Sequence, residues 1–226
     1  MAPVIRRGAD AGKDGKRISL VDRAYESIKH GIVTTAYPPG ASLNEAQLSE
    51  ELEIGRTPVH HALHRLAQEE LVDILPRKGV RVRPVLHDEI AELIEARLVT
   101  EPYCAARAAE RVTQDQLEHP RRILTEAEAE LSGEARIEAL MKLDGAFHSW
   151  ANRVGGNRVL ADVLDQFQDR SARFWFLSLS DAPHVEQVHE EHKAILRAIG
   201  ARDPDGARQA AEAHIKSFRS TILKVI

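Results

Sequence analysis

The stretch from Ser42 to Pro84 constrains the fold of this chain more than any other part of it, and it reads SLNEAQLSEELEIGRTPVHHALHRLAQEELVDILPRKGVRVRP. Ser42 and Glu45 have the Ser-x-x-Glu spacing of a capping box, which is typical of a helix start. A second start is indicated at 57–58, where Thr is followed by Pro, a residue that suits the first helical position. Alternating apolar and polar residues around the turn at 77–79 predict a small β-hairpin. Two short helices, a tight turn and a hairpin predict a winged helix-turn-helix, whose second helix fits the DNA major groove.

The side chains at the start of that second helix are the ones that would reach DNA. Arginine can bind guanine O6 and N7 with two hydrogen bonds, which discriminates between bases. Hydroxyl groups, backbone N–H groups at a helix start and cations on the wing suit phosphates, which position the protein without specifying a sequence. The candidate DNA-binding residues are Arg56, Thr57, His60, His61, Arg65 and Lys78, with His64 and Arg77 beside them. The alternative is a winged helix that contacts another protein and leaves these side chains in solvent.

Charge is unevenly distributed along the 226 residues, which are enough for one large or two modest domains. Residues 1–84 hold 13 Lys and Arg against 11 Asp and Glu, whereas residues 85–226 hold 18 against 24. A mildly basic front joined to an acidic rear fits a DNA-contacting module attached to a domain of a different kind.

The cellular location is predicted from the cysteine content and from apolar runs. Cys104 is the single cysteine, which excludes an intramolecular disulfide and fits a reducing compartment. The chain has no apolar signal-peptide core and no apolar run near the ~18 residues that a membrane helix needs. We therefore predict a cytoplasmic protein that does not associate with membranes.

Three regions follow from the patterns along the chain. Residues 1–18 are polar and aperiodic and are predicted to be a flexible tail, and residues 19–84 form the winged helix-turn-helix domain. A first helix, capped by Ser19, has its inner face at Leu20, Ala24, Ile28 and Ile32 and ends at the Pro-Pro-Gly of 38–40. Residues 85–226 read as six helices, near 87–111, 114–132, 135–154, 157–179, 184–200 and 204–225, with Pro120 delaying or kinking the second. Short loops between them predict a mainly α fold in which the winged helix precedes an antiparallel bundle of about six helices.

One Asp and three His residues are predicted to converge inside this bundle. Asp144 and His148 are four residues apart and therefore share a helix face. His192 and His214 are equally distant from position 203, so they lie side by side if their helices fold back there. Imidazole and carboxylate groups suit a divalent transition metal such as Zn, Ni or Fe. The alternative is an ordinary Asp–His surface pair with unrelated histidines; His189 competes with His192 as a ligand, and His119 and His184 are expected to be exposed turn residues.

The segment from Tyr25 to Pro84 resembles the N-terminal domain of GntR-family bacterial transcription regulators. The resemblance rests on the PPG turn at 38–40, the LNEAQLSEEL helix, the GRTPV…AL.RL helix and the LV…P.KGV.V wing. The family usually has Arg-Glu where this chain has His60-His61. Because imidazole cannot make the two-pronged contact of Arg, we expect altered operator preference. We also expect DNA binding to strengthen as the pH falls through the ordinary titration range of imidazole, about pH 6–7.

The rear domain resembles the FCD domain of FadR-type members of this family. The resemblance implies metal binding by Asp144, His148, His192 in EEHKAIL and His214 in AEAHI, with zinc or nickel as the expected ion. It also implies that a small organic acid docks on the metal and that Arg97 holds its far end. The alternative for Arg97 is a salt bridge to Glu101, four residues along the same helix.

Together these patterns predict a bacterial transcription regulator, not an enzyme, that binds a double-stranded DNA operator as a homodimer and responds to a small carboxylate effector. Two-fold proteins bind roughly palindromic operators, which favours the homodimer. The rival interpretation is a metal-dependent hydrolase or isomerase that uses the same Asp and His residues, with Glu190 or Glu191 as a base. A third is a protein-interaction winged helix with a structural metal.

Overall fold

A computed structural model of the chain describes residues 18–133, 136–178 and 182–225. The predicted tail at 1–18 therefore lies outside the described residues except for Ile18. The chain divides into two units, one ending at Val85 and the other beginning at Leu86. Both are mainly helical, and the strands described belong to the first unit.

The first unit is a winged helix-turn-helix. Its elements are α1 (Leu20–Val33), β1 (Ser42–Leu43), α2 (Glu45–Glu51), α3 (Arg56–Gln68), β2 (Val72–Leu75) and β3 (Gly79–Val82). The wing is the β2–β3 hairpin, in which Leu75 pairs with Gly79 and Ile74 with Val80. The strand order is β1-β3-β2, because Leu43 also pairs with Val80 from the other side. The sequence predicted only the hairpin, and β1 is an additional strand.

The predicted capping box at the start of α2 is wrong. Ser42 lies in β1, and the residue that caps α2 is Asn44. Its side-chain oxygen accepts hydrogen bonds from the backbone N–H groups of Ala46 (2.8 Å) and Gln47 (3.3 Å). The structure uses Asn because it caps a helix as well as Ser does while the residue two before it pairs in the sheet.

We expect Asn44→Ala to destabilise the first unit by about 1 kcal/mol, because two N–H groups at the start of α2 lose their acceptor. Ser42→Ala is the matched control and should cost less, since Ser42 caps no helix. Urea unfolding followed by circular dichroism measures the difference, and hydrogen exchange should quicken in α2 of the Asn44 variant alone. Equal destabilisation by both changes would contradict this assignment of the cap.

The apolar core of the first unit leaves one face of α3 in solvent. Val59, Ala62, Leu63 and Leu66 are buried along α3. Ala24, Ile28 and Ile32 of α1 are fully buried as predicted, whereas Leu20 is half exposed, because it is the first residue of α1 and lies beyond the core. The helix α3 begins at Arg56 instead of Pro58, so Pro58 is its third residue, still within the first turn where N–H groups lack helical partners.

The second unit is a helical bundle. Its helices are α4 (His87–Arg111), α5 (Glu118–Leu131), α6 (Ile137–Val154), α7 (Arg158–Ser178), α8 (Ala182–Gly200) and α9 (Pro204–Val225), and a short 3-10 turn (Asp115–Leu117) precedes α5. The predicted helices at 87–111 and 204–225 match α4 and α9 at both bounds, and the other predicted boundaries differ by a few residues. Pro120 is the third residue of α5, so it delays the helix and does not kink it. None of the described helices has the length and apolar character that a membrane crossing requires.

The bundle core brings α4 against α6 and α9. The alanines of α4, including Ala105, Ala108 and Ala109, are almost fully buried, and their small side chains permit close approach of the neighbouring helices. Phe147 of α6 and Ile199 of α8 lie in the same apolar cluster. This packing fixes the inward faces of α6, α8 and α9, on which the candidate ligands lie.

Candidate metal centre and DNA-contacting helix

Three buried imidazoles from three different helices converge in the second unit. His148 Nε2 of α6 lies 3.3 Å from His192 Nε2 of α8 and 3.2 Å from His214 Nε2 of α9. One ring nitrogen from each histidine lies within 4.8 Å of the others, a spacing that a single metal ion can bridge. Asp144, one turn before His148, places Oδ1 3.5 Å from His192 Nε2 and 3.8 Å from His148 Nε2. The structure thus brings His148, His192 and His214 together, with Asp144 beside two of them.

The turn between α8 and α9 accounts for the pairing of His192 with His214. Arg202 has a positive φ of 55°, and the Asp203 backbone N–H donates to the Ala198 carbonyl, so the chain reverses direction there. The two ring centroids are then 4.8 Å apart. The equal spacing about position 203 therefore placed these two side chains at the same height.

Carboxylates outside the cluster orient two of the imidazoles. His148 Nδ1 lies 3.1 Å from Glu101 Oε2 of α4, and His214 Nδ1 lies 2.8 Å from Glu191 Oε2 of α8. A hydrogen bond from Nδ1–H to a carboxylate leaves Nε2 without a proton, with its lone pair directed into the cluster. Such carboxylate–histidine pairs are the usual outer partners of metal-binding imidazoles.

Electrostatics also favour a cation at this position. Burial lowers the pKa of His192 well below its ordinary value, and the neighbouring His214 and His148 lower it further. Burial alone would raise the pKa of Glu101, but Arg97 and His148 outweigh burial, so the pKa is lowered and the carboxylate stays charged. A positive ion among these ring nitrogens would be attracted by the charged carboxylates of Glu101 and Glu191, both of which have lowered pKa values. The donor set of three imidazoles and one carboxylate fits zinc or nickel.

Arg97 is buried beside this cluster and makes the salt bridge that was one of its two predicted roles. Its Nε donates to Glu101 Oε1, and Nη1 donates to Ser171 Oγ at 3.1 Å. Its guanidinium carbon lies 5.3 Å from the ring centroid of Phe218. Through Glu101, Arg97 is connected to His148. The predicted contact of Arg97 with an effector carboxylate stays a prediction.

Among the remaining histidines, His119 is exposed as expected but lies in α5 instead of a turn, and the prediction for His184 is wrong. His184 is buried on α8, where its ring stacks on Trp175 at 4.8 Å and Nδ1 lies 3.2 Å from Thr221 Oγ1. The sequence placed it in a turn because α8 was expected to begin two residues later than it does. Trp175 also stacks on Phe218, so Phe174 and Trp175 contribute to the core of the second unit.

Sequence reasoning did not identify the residues that support the cluster. Gln168 of α7 donates a hydrogen bond to Asp144 Oδ2, and nothing in the local pattern distinguishes it from other polar helix residues. Glu191 had been considered as a catalytic base, but it accepts a hydrogen bond from His214. Glu190 pairs with Lys193 on the exposed face of α8. Glu190 and Glu191 could be singled out because they lie next to His192 in sequence. The local sequence does not indicate that Glu191 pairs with His214 of α9.

In the first unit, the exposed face of α3 carries most of the predicted DNA-binding residues. Arg56, Thr57, His60, His61 and His64 are exposed. His60 Nδ1 lies 3.0 Å from Glu45 Oε1 of α2, and the His60 and His64 ring centroids are 4.5 Å apart. The Nε2 side of His60 is therefore the side available for DNA.

Arg65 and Lys78 have different environments. The Arg65 guanidinium lies 3.5 Å over the Tyr25 ring and pairs with Asp22 (3.4 Å) and Glu69 (3.5 Å), so it is held within the unit although about half of it is exposed. Lys78 is exposed in the wing turn, where its backbone N–H donates to the Leu75 carbonyl at 3.0 Å.

Comparison with known protein families gives two matches that together span both units. The family model described as FCD domain matches residues 92–217, which is more than half of the chain, and the model described as bacterial regulatory proteins, gntR family, matches residues 20–82. The Nta operon transcriptional regulator of Aminobacter aminovorans is 28% identical over 194 residues, covering 86% of this chain and 90% of that protein. The HTH-type transcriptional repressor RspR of Escherichia coli is 24% identical over 207 residues, covering 89% and 88%.

Solved structures share the fold. McbR/YncC of Escherichia coli superposes with a TM-score of 0.83 at 20% identity, covering 92% of this chain and 98% of that one. A putative GntR transcriptional regulator from Rhodococcus superposes with a TM-score of 0.77 at 19% identity, covering 92% and 100%. At these identities the likeness establishes the architecture and leaves ligand and operator open.

Proposed function

This chain belongs to the GntR family of bacterial transcription regulators and carries an FCD domain, and from that membership we propose that a small organic acid at a metal-containing site in the FCD domain controls its binding to operator DNA. The observation that carries the proposal is the convergence of His148, His192 and His214, with carboxylates on two of their outer nitrogens. An ordinary buried histidine needs one partner, whereas each of these three directs a ring nitrogen at a common point. In bundle proteins such an arrangement is typical of a metal site.

In this proposal Asp144, His148, His192 and His214 hold a divalent zinc or nickel ion. When bound, the ion supplies positive charge that attracts an effector carboxylate. Arg97 Nε and Nη1 bind Glu101 and Ser171, and we propose that its Nη2 group contacts the effector carboxylate. Small shifts of α8 and α9 around the effector would change the affinity of the protein for DNA. A coupling free energy of about 1–3 kcal/mol between the effector site and the DNA site is enough for regulation.

The first unit supplies DNA recognition. The buried face of α3 anchors it to the core and the opposite face presents Arg56, Thr57, His60 and His61 for base and phosphate contacts. Lys78 in the wing suits a flanking phosphate, whereas Arg65 contributes through the positioning of α3 and through its exposed half. We propose that the protein acts as a homodimer on a roughly palindromic operator in the bacterial cytoplasm.

One experiment tests the whole proposal. DNA from upstream of the protein's own gene is titrated with the protein in a fluorescence anisotropy assay, with and without a chelator and with a panel of organic acids. A regulator binds this DNA, and an acid changes the affinity only while metal is present. An enzyme or a protein-interaction module would not bind the DNA. The enzyme alternative is further weakened because both of its candidate bases already have partners, Glu191 with His214 and Glu190 with Lys193.

We expect Arg56→Ala to weaken specific DNA binding by about 1–3 kcal/mol at constant salt, as for loss of one base-reading arginine. Arg153→Ala is a matched control, because Arg153 lies in the second unit and pairs with Asp162 and Asp165. Unchanged affinity of the Arg56 variant would show that this residue does not read DNA.

We expect His60→Arg to bind operator DNA more tightly than wild type at pH 8, because it places a permanent cation on the exposed face of α3, at the position where the family usually has one. Anisotropy titrations at fixed ionic strength measure the change. Equal affinity of the two proteins would show that position 60 does not contact DNA.

A further inference from the structure

An apolar cavity lies beside the histidine cluster, between α5, α6 and α8. The cavity is partly open to solvent. Asp144 and His192, two of the proposed metal ligands, form part of its wall. The rest is almost entirely hydrocarbon, and its lining includes Leu124, Ala127, Leu140, Leu143, Val188 and Trp175. A ligand that reaches the metal from this side would therefore be in contact with apolar side chains along most of its length.

Among the described residues of the cavity wall, His189 is the one ionisable side chain besides those two ligands. It is 93% buried, being 7% exposed, and both of its ring nitrogens lack a hydrogen-bond partner among the described residues. Leaving a buried polar side chain unpaired costs free energy, so such a group in a cavity wall indicates a missing partner. Burial, followed by the nearby Lys193, lowers the pKa of His189, so the ring is neutral and offers one N–H donor and one acceptor nitrogen.

We infer that the effector is a monocarboxylic acid with a hydrocarbon body that fills this cavity and one hydroxyl or carbonyl group that hydrogen-bonds to His189. The inference deepens the proposed function and rests on it, because it places the carboxylate at the metal. A polyhydroxylated or tricarboxylic acid does not fit, since its polar groups would lose water against the hydrocarbon wall without gaining partners.

The position of His189 also sets where the second polar group lies on the effector. His189 is three residues before His192, so the two side chains are separated by about 4.5 Å along α8. A hydroxyl or carbonyl several bonds from the carboxylate matches that separation. A substituent on the carbon next to the carboxylate would lie beside the metal ligands instead.

Isothermal titration of the full-length, zinc-loaded protein tests the inference with acetate, butanoate, hexanoate, 5-oxohexanoate and gluconate. Affinity should rise about 2- to 4-fold per methylene from acetate to hexanoate, because each methylene leaves water for the cavity. The ketone of 5-oxohexanoate should add about 2- to 10-fold over hexanoate through its hydrogen bond to His189. Gluconate should bind more weakly than hexanoate.

Two variants and one control test which residues contact the hydrocarbon chain and the ketone of the acid. Ala127→Phe fills the cavity from α5 and should abolish the dependence on chain length, whereas Ala129→Phe, on the exposed face of α5, should not. His189→Phe keeps a ring of similar size but cannot hydrogen-bond, so the preference for 5-oxohexanoate over hexanoate should disappear while hexanoate still binds. Circular dichroism and zinc stoichiometry confirm that each variant is folded and loaded.

The outcomes separate this inference from the proposed function. If zinc binds and gluconate binds better than hexanoate, or if the chain-length series is flat, the inference is overturned and the metal-dependent regulator stands. An unchanged ketone preference in His189→Phe overturns the role of His189. If neither zinc nor any acid binds, the proposed function itself fails.

Discussion

Replacing His192 or His214 with Ala is expected to eliminate stoichiometric metal from the purified protein. The nitrogens of both rings lie close to His148 Nε2, at 3.3 Å and 3.2 Å, so each variant removes one of three converging donors. Because loss of an outer-sphere partner alone typically lowers metal affinity 10- to 100-fold, loss of a direct ligand should lower it by more than about 100-fold. Elemental analysis and competition with a chromogenic chelator measure the change.

His184→Ala is the matched control for this experiment. His184 is a histidine of similar burial in the same unit, but it stacks on Trp175 and contacts Thr221 instead of the cluster. It should lose some stability and retain full metal occupancy. Stoichiometric metal in both His192→Ala and His214→Ala would mean that the ligands have been assigned incorrectly, whatever the control shows.

Loss of metal should affect the response to organic acids and leave DNA binding by the first unit intact. DNA binding in the absence of effector should persist in His192→Ala, because α3 and the wing belong to the first unit, whereas the response to organic acids should disappear. A variant that still responds to an acid at wild-type concentrations would show that the acid does not use the cluster.

The cluster was predictable from sequence because helical geometry converts spacing into position. Asp144 and His148 had to share a face of α6, and two residues equidistant from a helix reversal had to meet, as His192 and His214 do. The residues that contact the cluster from other helices were harder to predict from the sequence. Glu101 and Gln168 lie on other helices, and which helices pack against α6 depends on the whole bundle and not on local spacing.

The wrong predictions for the first unit also arise from contacts between residues that are far apart in sequence. Ser42 satisfied the local rule for a helix cap, yet its pairing with Arg81, 39 positions away, drew it into a strand, and Asn44 took the cap. Leu20 fitted the apolar repeat of α1 but lies beyond the end of the core. Local patterns thus predicted the kind and order of elements, and long-range packing determined which residue performs each role at their ends.

The buried pair of Arg97 and Glu101 gives the largest expected effect on stability. The Arg97 side chain is 2% exposed and that of Glu101 is 8% exposed, so neither charge is solvated by water. Glu101→Gln keeps the size of the side chain but leaves the Arg97 charge without its counter-ion. Breaking a buried pair in this way typically costs about 3–5 kcal/mol in the free energy of unfolding.

Urea unfolding in the presence of a chelator measures this cost without any contribution from metal. Both tryptophans of the chain, Trp150 and Trp175, lie in the second unit, so their fluorescence reports on the unit that contains the pair. Because the pKa of Glu101 is lowered, the stability it contributes is present above the ordinary carboxyl pKa of about 4.3 and is lost as the pH falls below it. The difference between wild type and Glu101→Gln should therefore be constant from pH 5 to 8 and shrink in acid.

The double variant Arg97→Met/Glu101→Leu decides whether the lost stability reflects an unpaired charge. Replacing both partners by apolar side chains of similar volume is often neutral or stabilising, because no buried charge remains. We expect the double variant to recover most of what Glu101→Gln loses, while still binding metal more weakly than wild type, since His148 Nδ1 has lost its acceptor. If the double variant is as unstable as Glu101→Gln, the loss arises from disturbed packing around α4. If Glu101→Gln itself is as stable as wild type, the ion pair makes no net contribution to the free energy of unfolding. Arg97 could then exchange Glu101 for an effector carboxylate without a loss of stability.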